Sequence, residues 1–456
     1  MFLASDQPNA AREPAAETPR RRRIAARLVL VAVPLAAFFA VAILYAAHST
    51  AIYEAMRLWG ISLPVDYPFL DLRYIFAGVE CWAKGVNVYL SNPCDPLGRP
   101  HAYSPLWLRF GFLPGQEWTN VAGLIVDGLF VLSLAVLPPL RRPRELLILL
   151  LAILSPPVVF ALQRANVDVI IFLIVLVAAW LHIRSLPLRV AGYAAVLLAG
   201  LLKFYPLIVL VMAARERPKI GAAVLAIVGA ALSAFVAYFH AELGAAAVNI
   251  PTGSYLVGDM FGAKNLPNGL VLVFSLQKMS WIRLLIAAVL AALCAKWILV
   301  ISQWAPLLRA ATELPPFDVA LLLSGAAIIA GCFFTGQSVG YRGVYLLLLL
   351  PGLFALWRQP RDRRVQRFAG AMTFLVLFLM WQGVLTWNDS FLTVLQFWFG
   401  ASAGTALWVG IWLVRELGWW ILAASVGGIF AAFLREFAML SWMDAVGQLR
   451  SGAGRP

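Results

Sequence analysis

The chain has 456 residues, of which 62% are hydrophobic and only 13% charged, with a mean hydropathy of +0.84. An average soluble protein carries about 45–50% apolar and about 25% charged residues, so a water-soluble enzyme and a disordered chain are both excluded. An integral membrane protein remains, and its apolar runs are continuous rather than alternating, which excludes a β-barrel.

Thirty-six Lys+Arg against 22 Asp+Glu leave a net charge of +14. Basic residues collected in short cytoplasmic loops, facing anionic lipid headgroups, account for that excess. No basic surface interleaved with aromatic residues points to a nucleic-acid partner. Four cysteines make neither a disulfide framework nor a metal-ligand spacing.

Residues 1–23 are rich in Ala, Pro, Glu and Arg and end in Arg20-Arg21-Arg22-Arg23, which predicts a disordered basic tail on the cytoplasmic side. The run 24–47 is too long for a signal-peptide core and no small-residue cleavage site follows it, so it reads as a retained span. Further apolar runs lie near 120–140, 146–162, 167–183, 190–202, 205–214, 219–239, 281–303, 317–335, 343–357, 368–386, 397–414 and 417–434. The expectation is an all-α polytopic membrane domain over 24–436, with about 11–13 transmembrane or re-entrant helices. Residues 437–456 form a C-terminal tail. Alternating the helix ends places Arg141 to Arg144, Arg184 with Arg189, Arg215 to Lys219 and Arg358 to Arg367 on the side of the N-terminal arginines. The opposite, outer side holds two long loops, 48–119 and 240–280. The runs 190–202 and 205–214 are too short to cross singly and read as a broken hairpin with Lys203-Phe204-Tyr205-Pro206 at its tip.

Four polar clusters fall on that outer side. Asp71 opens an amphipathic stretch just past the first span, five residues after Asp66. A carboxylate between an apolar helix and the bilayer is partly desolvated, which suits general-base work; the plainer alternative is a helix N-cap. Gln163-Arg164-Ala165-Asn166-Val167-Asp168 lies at a tip between apolar runs, where Arg164 and Asp168 read equally as a solvated turn. Lys203 stands beside Pro206, which breaks the helix and frees backbone groups around an ammonium suited to phosphate; its alternative is snorkelling. Lys264-Asn265-Leu266-Pro267-Asn268-Gly269 reads as a turn. Arg342, in Gly340-Tyr341-Arg342-Gly343, sits at another outer helix end. Cys81 and Cys94 share the first outer loop and can pair if that side is oxidising, while Cys81 reads equally well as a buried face residue.

The order of these segments resembles the polyprenyl-phosphate-mannose-dependent α-mannosyltransferases, membrane glycosyltransferases of the GT-C type. Asp71-Leu72-Arg73-Tyr74, Gly85 to Tyr89 and Tyr103-Ser104-Pro105-Leu106 are similar to that family's first outer loop. Arg164 to Asp168 is similar to a Gly-Asn/Gln-Val-Asn segment, with Ala165 in place of the Gly. Lys203 to Pro206 matches a Lys-x-x-Pro, and Asn265 to Leu270 resembles an Asn-x-Ser-x-x-Gly with Pro267 in place of Ser. The resemblance covers residues 60–275.

It implies a GT-C-type bundle that transfers a hexose, mannose first, from a polyprenyl-phosphate-linked donor to a hydroxyl of a lipid or glycan acceptor, with inversion. The implied setting is the inner membrane of a bacterium, with the site facing the periplasm. Asp71 takes the place of the catalytic base, with Asp66 as the fallback. Lys203, Arg164 and Arg342 are expected at the donor phosphate. Asp66, Arg73, Tyr89, Tyr103, Asn166, Tyr205, Asn265 and Asn268 are expected to contact substrate. No carboxylate cluster suits a metal and no cofactor is expected. The competing class is a lipid transporter or flippase, which requires paired charges at mid-membrane and repeated halves; the runs are nearly clean of carboxylates and show no repeat. A lipid-polymer ligase would place Arg and His prominently outside, where only His101 and His240 occur.

Overall fold

The computed structural model describes residues 19–47, 50–61, 68–111, 115–250, 260–276, 279–359, 362–386 and 389–452. Among them the chain is an all-α polytopic membrane protein. Eight helices are long and apolar enough to cross a membrane: Ile24–Tyr45, Gln116–Val136, Pro218–Val248, Trp281–Ser302, Pro316–Thr335, Gly340–Arg358, Arg363–Leu385 and Ala401–Glu436. A further pair, Pro143–Ile153 and Pro156–Gln163, is bent by 48°. Its break falls at Ser155, whose backbone is extended ahead of Pro156 and Pro157. Three shorter apolar helices, Val167–Leu181, Leu186–Leu202 and Tyr205–Arg215, complete the bundle.

The last two make the expected broken hairpin. Lys203 is extended between them, and Pro206 sits in the first turn of a tight 3-10 helix. The arms pack closely: a Cβ on Gly200 would fall 2.2 Å from Leu207, and Tyr193 donates to the Met212 carbonyl at 3.2 Å.

Three expected boundaries move. From Ala401 onward the runs 397–414 and 417–434 are one unbroken helix, Ala401–Gly452, because Arg415 and Glu416 between them are good helix formers buried against the protein instead of a loop. That helix also takes in most of the expected C-terminal tail. At the other end the first helix starts at Pro19, so Arg20 to Arg23 belong to its first turns, with proline preset for a helix start; residues 1–18 lie outside the described residues. The span Pro218–Val248 continues nine residues into the second long loop.

Two opposite ends of the bundle differ in chemistry. At one, Arg358 reaches Glu145 at 2.9 Å, Arg144 lies 4.0 Å over Trp357, and a cavity brings His182, Arg189, Arg215 and Glu216 beside Pro316. The basic segments 141–144, 184–189, 215–219 and 358–367 therefore share an end. The helices Val167–Leu181 and Pro316–Thr335 run between that end and the other, where the turns 163–166, 203–205 and 336–342 meet. Two-residue strands there, Met260–Phe261 and Ser338–Val339, pair antiparallel with Met260 opposite Val339. Over the same end folds the first long loop, closed by a disulfide between Cys81 and Cys94. Cys81 is thus both buried and bonded.

Candidate functional site

The amphipathic helix Leu70–Ala83 starts after Phe69, which is left-handed at φ +60° and seats its ring on Gly123. Its first amides are not capped by a side chain. They donate instead to the turn at 163–164: Phe69 N–H to the Gln163 carbonyl at 2.8 Å, and Asp71 N–H to the Arg164 carbonyl at 3.2 Å. Asp71 is therefore not a cap. Its buried carboxylate receives Asn166 Nδ2 at 2.6 Å on one oxygen and Arg164 Nη1 at 3.2 Å on the other, with Arg99 Nη1 3.8 Å away.

The turn that holds Asp71 is shaped by Ala165, at φ +41°. Its left-handed backbone is the conformation for which glycine is the ordinary choice. Asn166 follows as N-cap of Val167–Leu181, its side-chain oxygen accepting the Asp168 N–H at 2.9 Å. One residue thus touches both acidic positions.

Asp168 is fully buried and gathers the second half of the site. Lys203 Nζ and Tyr205 OH both donate to its Oδ1 at 2.6 Å, and Arg342 Nε lies 3.7 Å from Oδ2. Tyr345 OH donates to its backbone carbonyl at 3.1 Å. The Lys203 ammonium lies 5.5–5.7 Å from the ring centres of Tyr103, Tyr205 and Tyr341, within cation–π range. Arg342 stacks 4.6 Å over Tyr205 and donates to Ser338 Oγ. Arg164 and Asp168 are accordingly not a solvated turn: Asp168 is fully buried and Arg164 largely so, and each pairs with a residue from a distant segment.

The first loop walls the site. Tyr74 OH donates to the Pro100 carbonyl and accepts the Ala102 N–H at 2.7 Å, while Trp107 Nε1 donates to the Leu202 carbonyl beside Lys203. Arg99 forks onto Asp95 with two contacts of 2.9 Å and covers Tyr74 at 4.5 Å. Burial pulls its pKa down, but the bonds to Asp95 outweigh this and raise it above the ordinary value. Tyr89 packs with Trp82 and His101, one ring removed from Tyr74 and Tyr103. Burial raises the hydroxyl pKa values of Tyr74, Tyr89 and Tyr103, keeping them neutral. It lowers His101 to about 4, against the pull of the Ser104 backbone.

Asp71, Arg164, Asn166, Lys203, Tyr205, Tyr103 and Arg342 thus come together. Arg73 lies half-buried on the Asp71 helix. Asn265 spends its side chain elsewhere, on the Met260 carbonyl at 2.9 Å and Gln337 at 3.2 Å, and Asn268 turns back to the Lys264 carbonyl. Asp66 lies outside the described residues. Sequence inspection passed over Asp168 as a site residue, although it is the nearest acid to the Asn166 motif, and Tyr341, next to Arg342. Arg99 and Tyr345 carry no local signal. The runs also hold more buried acid than expected: Asp127 lies inside Gln116–Val136, and Glu416, 3.6 Å from Arg415, inside the last span. Arg415 donates to the Met260 carbonyl, pinning the second loop to that helix.

No protein-family model, curated protein or solved structure matches the chain.

Proposed function

We propose that the chain is a membrane glycosyltransferase that moves a hexose, mannose first among the candidates, from a polyprenyl-phosphate-linked donor to a hydroxyl of a lipid or glycan acceptor. The observation that carries this reading is Asn166, which joins the Asp71 carboxylate at 2.6 Å to the Asp168 N–H at 2.9 Å. A candidate base and a cation cluster suited to phosphate therefore lie side by side.

In this reading Asp71, aimed by Arg164 and Asn166, takes the proton of the acceptor hydroxyl. The acceptor oxygen bonds to the anomeric carbon from the face opposite the phosphate, so the configuration inverts. The carbon–oxygen bond to phosphate breaks and its electron pair leaves with polyprenyl phosphate. That leaving group is already ionised, so the second carboxylate that a glycosidase needs as acid is unnecessary. Asp168 is then a positioning residue, holding Lys203 and Tyr205. Within the ion-paired set, four cations (Arg99, Arg164, Lys203, Arg342) face three carboxylates (Asp71, Asp95, Asp168). The one uncompensated positive charge matches a phosphodiester, and Lys203 and Arg342 would meet the charge growing on it. The positive-inside rule puts the basic end of the bundle in the cytoplasm and this site on the outer face, in a bacterial inner membrane the periplasmic side.

The test is to incubate purified protein with polyprenyl-phosphate-linked sugars and cell lipid extract, and to seek by mass spectrometry the species that gains a hexose. Asp71→Asn serves as the control. The Arg415–Glu416 pair buried inside the longest helix favours a second reading, a lipid flippase. Movement of a labelled polyprenyl phosphate across liposomes without sugar transfer would establish it and sink the first.

A further inference from the structure

Against the Phe69–Gln163 contact lies a half-open cavity of about 410 Å³, bordered by the first span, the helix Gln116–Val136 and the bent pair. Its walls are almost wholly apolar, from Phe38 and Val41 to Val131 and Leu154. Two polar groups interrupt them. Asp127 is fully buried and neither carboxyl oxygen has a hydrogen-bond partner. Gln163 gives its Nε2 to Tyr45 OH at 3.0 Å, but its Oε1 is buried without a partner.

A carboxyl inside a span with nothing to bond is among the costliest groups a membrane protein carries, and such residues mark ligand paths. Packing alone asks only for an apolar side chain at this position. Gln163 Oε1 only accepts, whereas a neutral carboxyl at Asp127 both donates and accepts, so the missing partner does both, and since the two groups sit on different helices it carries more than one polar group. Depth adds a second constraint. Gly123, four residues before Asp127, touches Phe69, so Asp127 lies about 6 Å along its helix from the level at which Phe69 binds Gln163. Arg164, the next residue, holds Asp71.

We propose that this cavity seats a neutral glycolipid, its hydrocarbon chains along the apolar walls and its sugar hydroxyls donating to Asp127 and to Gln163 Oε1. The proposal rests on the transferase reading and names its acceptor class. A phosphodiester headgroup supplies acceptors alone and leaves Gln163 Oε1 without a donor, so it fits poorly. An ammonium supplies donors alone and offers no acceptor to a neutral carboxyl. A polyol supplies donors and acceptors at once, and a hydroxyl of the same headgroup is then next to the candidate base.

Binding can be read without catalysis, using protein in phosphatidylcholine nanodiscs and three short-chain probes: glucosyl diacylglycerol, diacylglycerol and phosphatidylethanolamine. Glucosyl diacylglycerol is expected to bind at least about tenfold more tightly than the other two, a difference of one or two hydrogen bonds. Asp127→Leu and Gln163→Leu should each remove about tenfold of that affinity, and Asp127→Asn, which keeps the shape of the side chain, a smaller part. Equal binding of all three probes, a preference for the amine lipid, or unchanged affinity in both Asp127→Asn and Gln163→Leu overturns the proposal. The two readings fail separately. A glycolipid that binds as described but gains no hexose from any polyprenyl-phosphate donor leaves the seat standing and removes the transferase. Transfer to a water-soluble glycan, with no glycolipid binding, does the reverse.

Discussion

The ammonium of Lys203 lies 2.6 Å from the carboxylate of Asp168, thirty-five positions earlier in the chain. Sequence alone presents this lysine as an isolated cation in need of an external anion; the fold neutralises it from within. Removing one partner of a buried pair costs about 3–5 kcal/mol because the other charge is stranded. Lys203→Ala is therefore expected to lose thermal stability in detergent, and adding Asp168→Asn should recover much of it. Donor affinity, measured with a short-chain lipid-phosphate sugar in nanodiscs, should stay low in the double variant. If affinity returns with stability, Lys203 serves only Asp168, and the phosphate seat belongs to Arg164 or Arg342.

Asp71→Asn should cut sugar transfer by about 10²–10⁴, the ordinary loss for a general base. Because Asp71 is buried against Arg164 and Asn166, the variant should also lose about 1–3 kcal/mol of stability, the scale of a weakened charged hydrogen bond. Donor binding should survive. Turnover near wild type in Asp71→Asn, with loss in Asp66→Asn, would move the base to Asp66.

The spans were legible because hydropathy is a local property: the long apolar runs are helical, although 146–162 breaks at Ser155 and 417–434 continues the helix begun in 397–414. Misplaced boundaries arose where long-range contacts decide. Arg415 and Glu416 look like a loop between two runs, but the Met260 carbonyl, far away in sequence, takes up the arginine and the helix passes straight through. The same holds for the candidate site. Asp71, Arg164, Asn166, Lys203 and Arg342 stand out as polar residues at apolar run ends, and these come together. Which cation meets which acid was not legible, since Asp168 faces Lys203 only once the hairpin folds back. Arg99 sits in a proline-rich loop with no periodicity to mark it, and Asn265 carries a motif-like context but is consumed by its own loop.

Ala165 tests how the turn beneath Asp71 is held. A left-handed alanine costs roughly 1–2 kcal/mol, which glycine would relieve. Glycine also gives up a fully buried methyl, about 0.8 kcal/mol, and adds about 0.4–1 kcal/mol of unfolded-state entropy. The terms nearly cancel, so Ala165→Gly should stay within about 1 kcal/mol of wild type by thermal unfolding. Ala165→Val, β-branched and left-handed, should be clearly less stable and should disturb the Asp71–Asn166 contact. Equal stability of Val and Gly would mean that the turn is not left-handed at this position.

His101 gives the fold a pH dependence with a definite sign. The imidazole is buried among Tyr74, Tyr89 and Tyr103 and titrates at about 4, against about 6.5 when unfolded. Between those values the unfolded chain binds a proton that the folded protein refuses. Stability is thus complete above pH 6.5 and falls as the pH drops toward 4, with about 2 kcal/mol lost at pH 5. His101→Phe should flatten that slope relative to wild type in denaturation curves at pH 7 and pH 5. An identical slope in both proteins would show that the histidine is solvated.

Orientation can be tested at two exposed positions at opposite ends of the charge pattern. Lys264 is exposed beside the buried Asn265, so it is the better labelling site in the second loop, and Arg363 is exposed in the basic segment. The native Cys294 and Cys332 are buried and Cys81 and Cys94 are bonded to each other, so the background is low. If the basic end faces the cytoplasm, Lys264→Cys should react with an impermeant thiol reagent in intact cells, whereas Arg363→Cys should react only after the cells are opened. The Asp71–Asp168 site would then face outward, where a lipid-linked sugar already flipped across the membrane can reach it. The reverse labelling pattern would put the site in the cytoplasm, within reach of soluble sugar nucleotides, and remove the reason for preferring a lipid-linked donor.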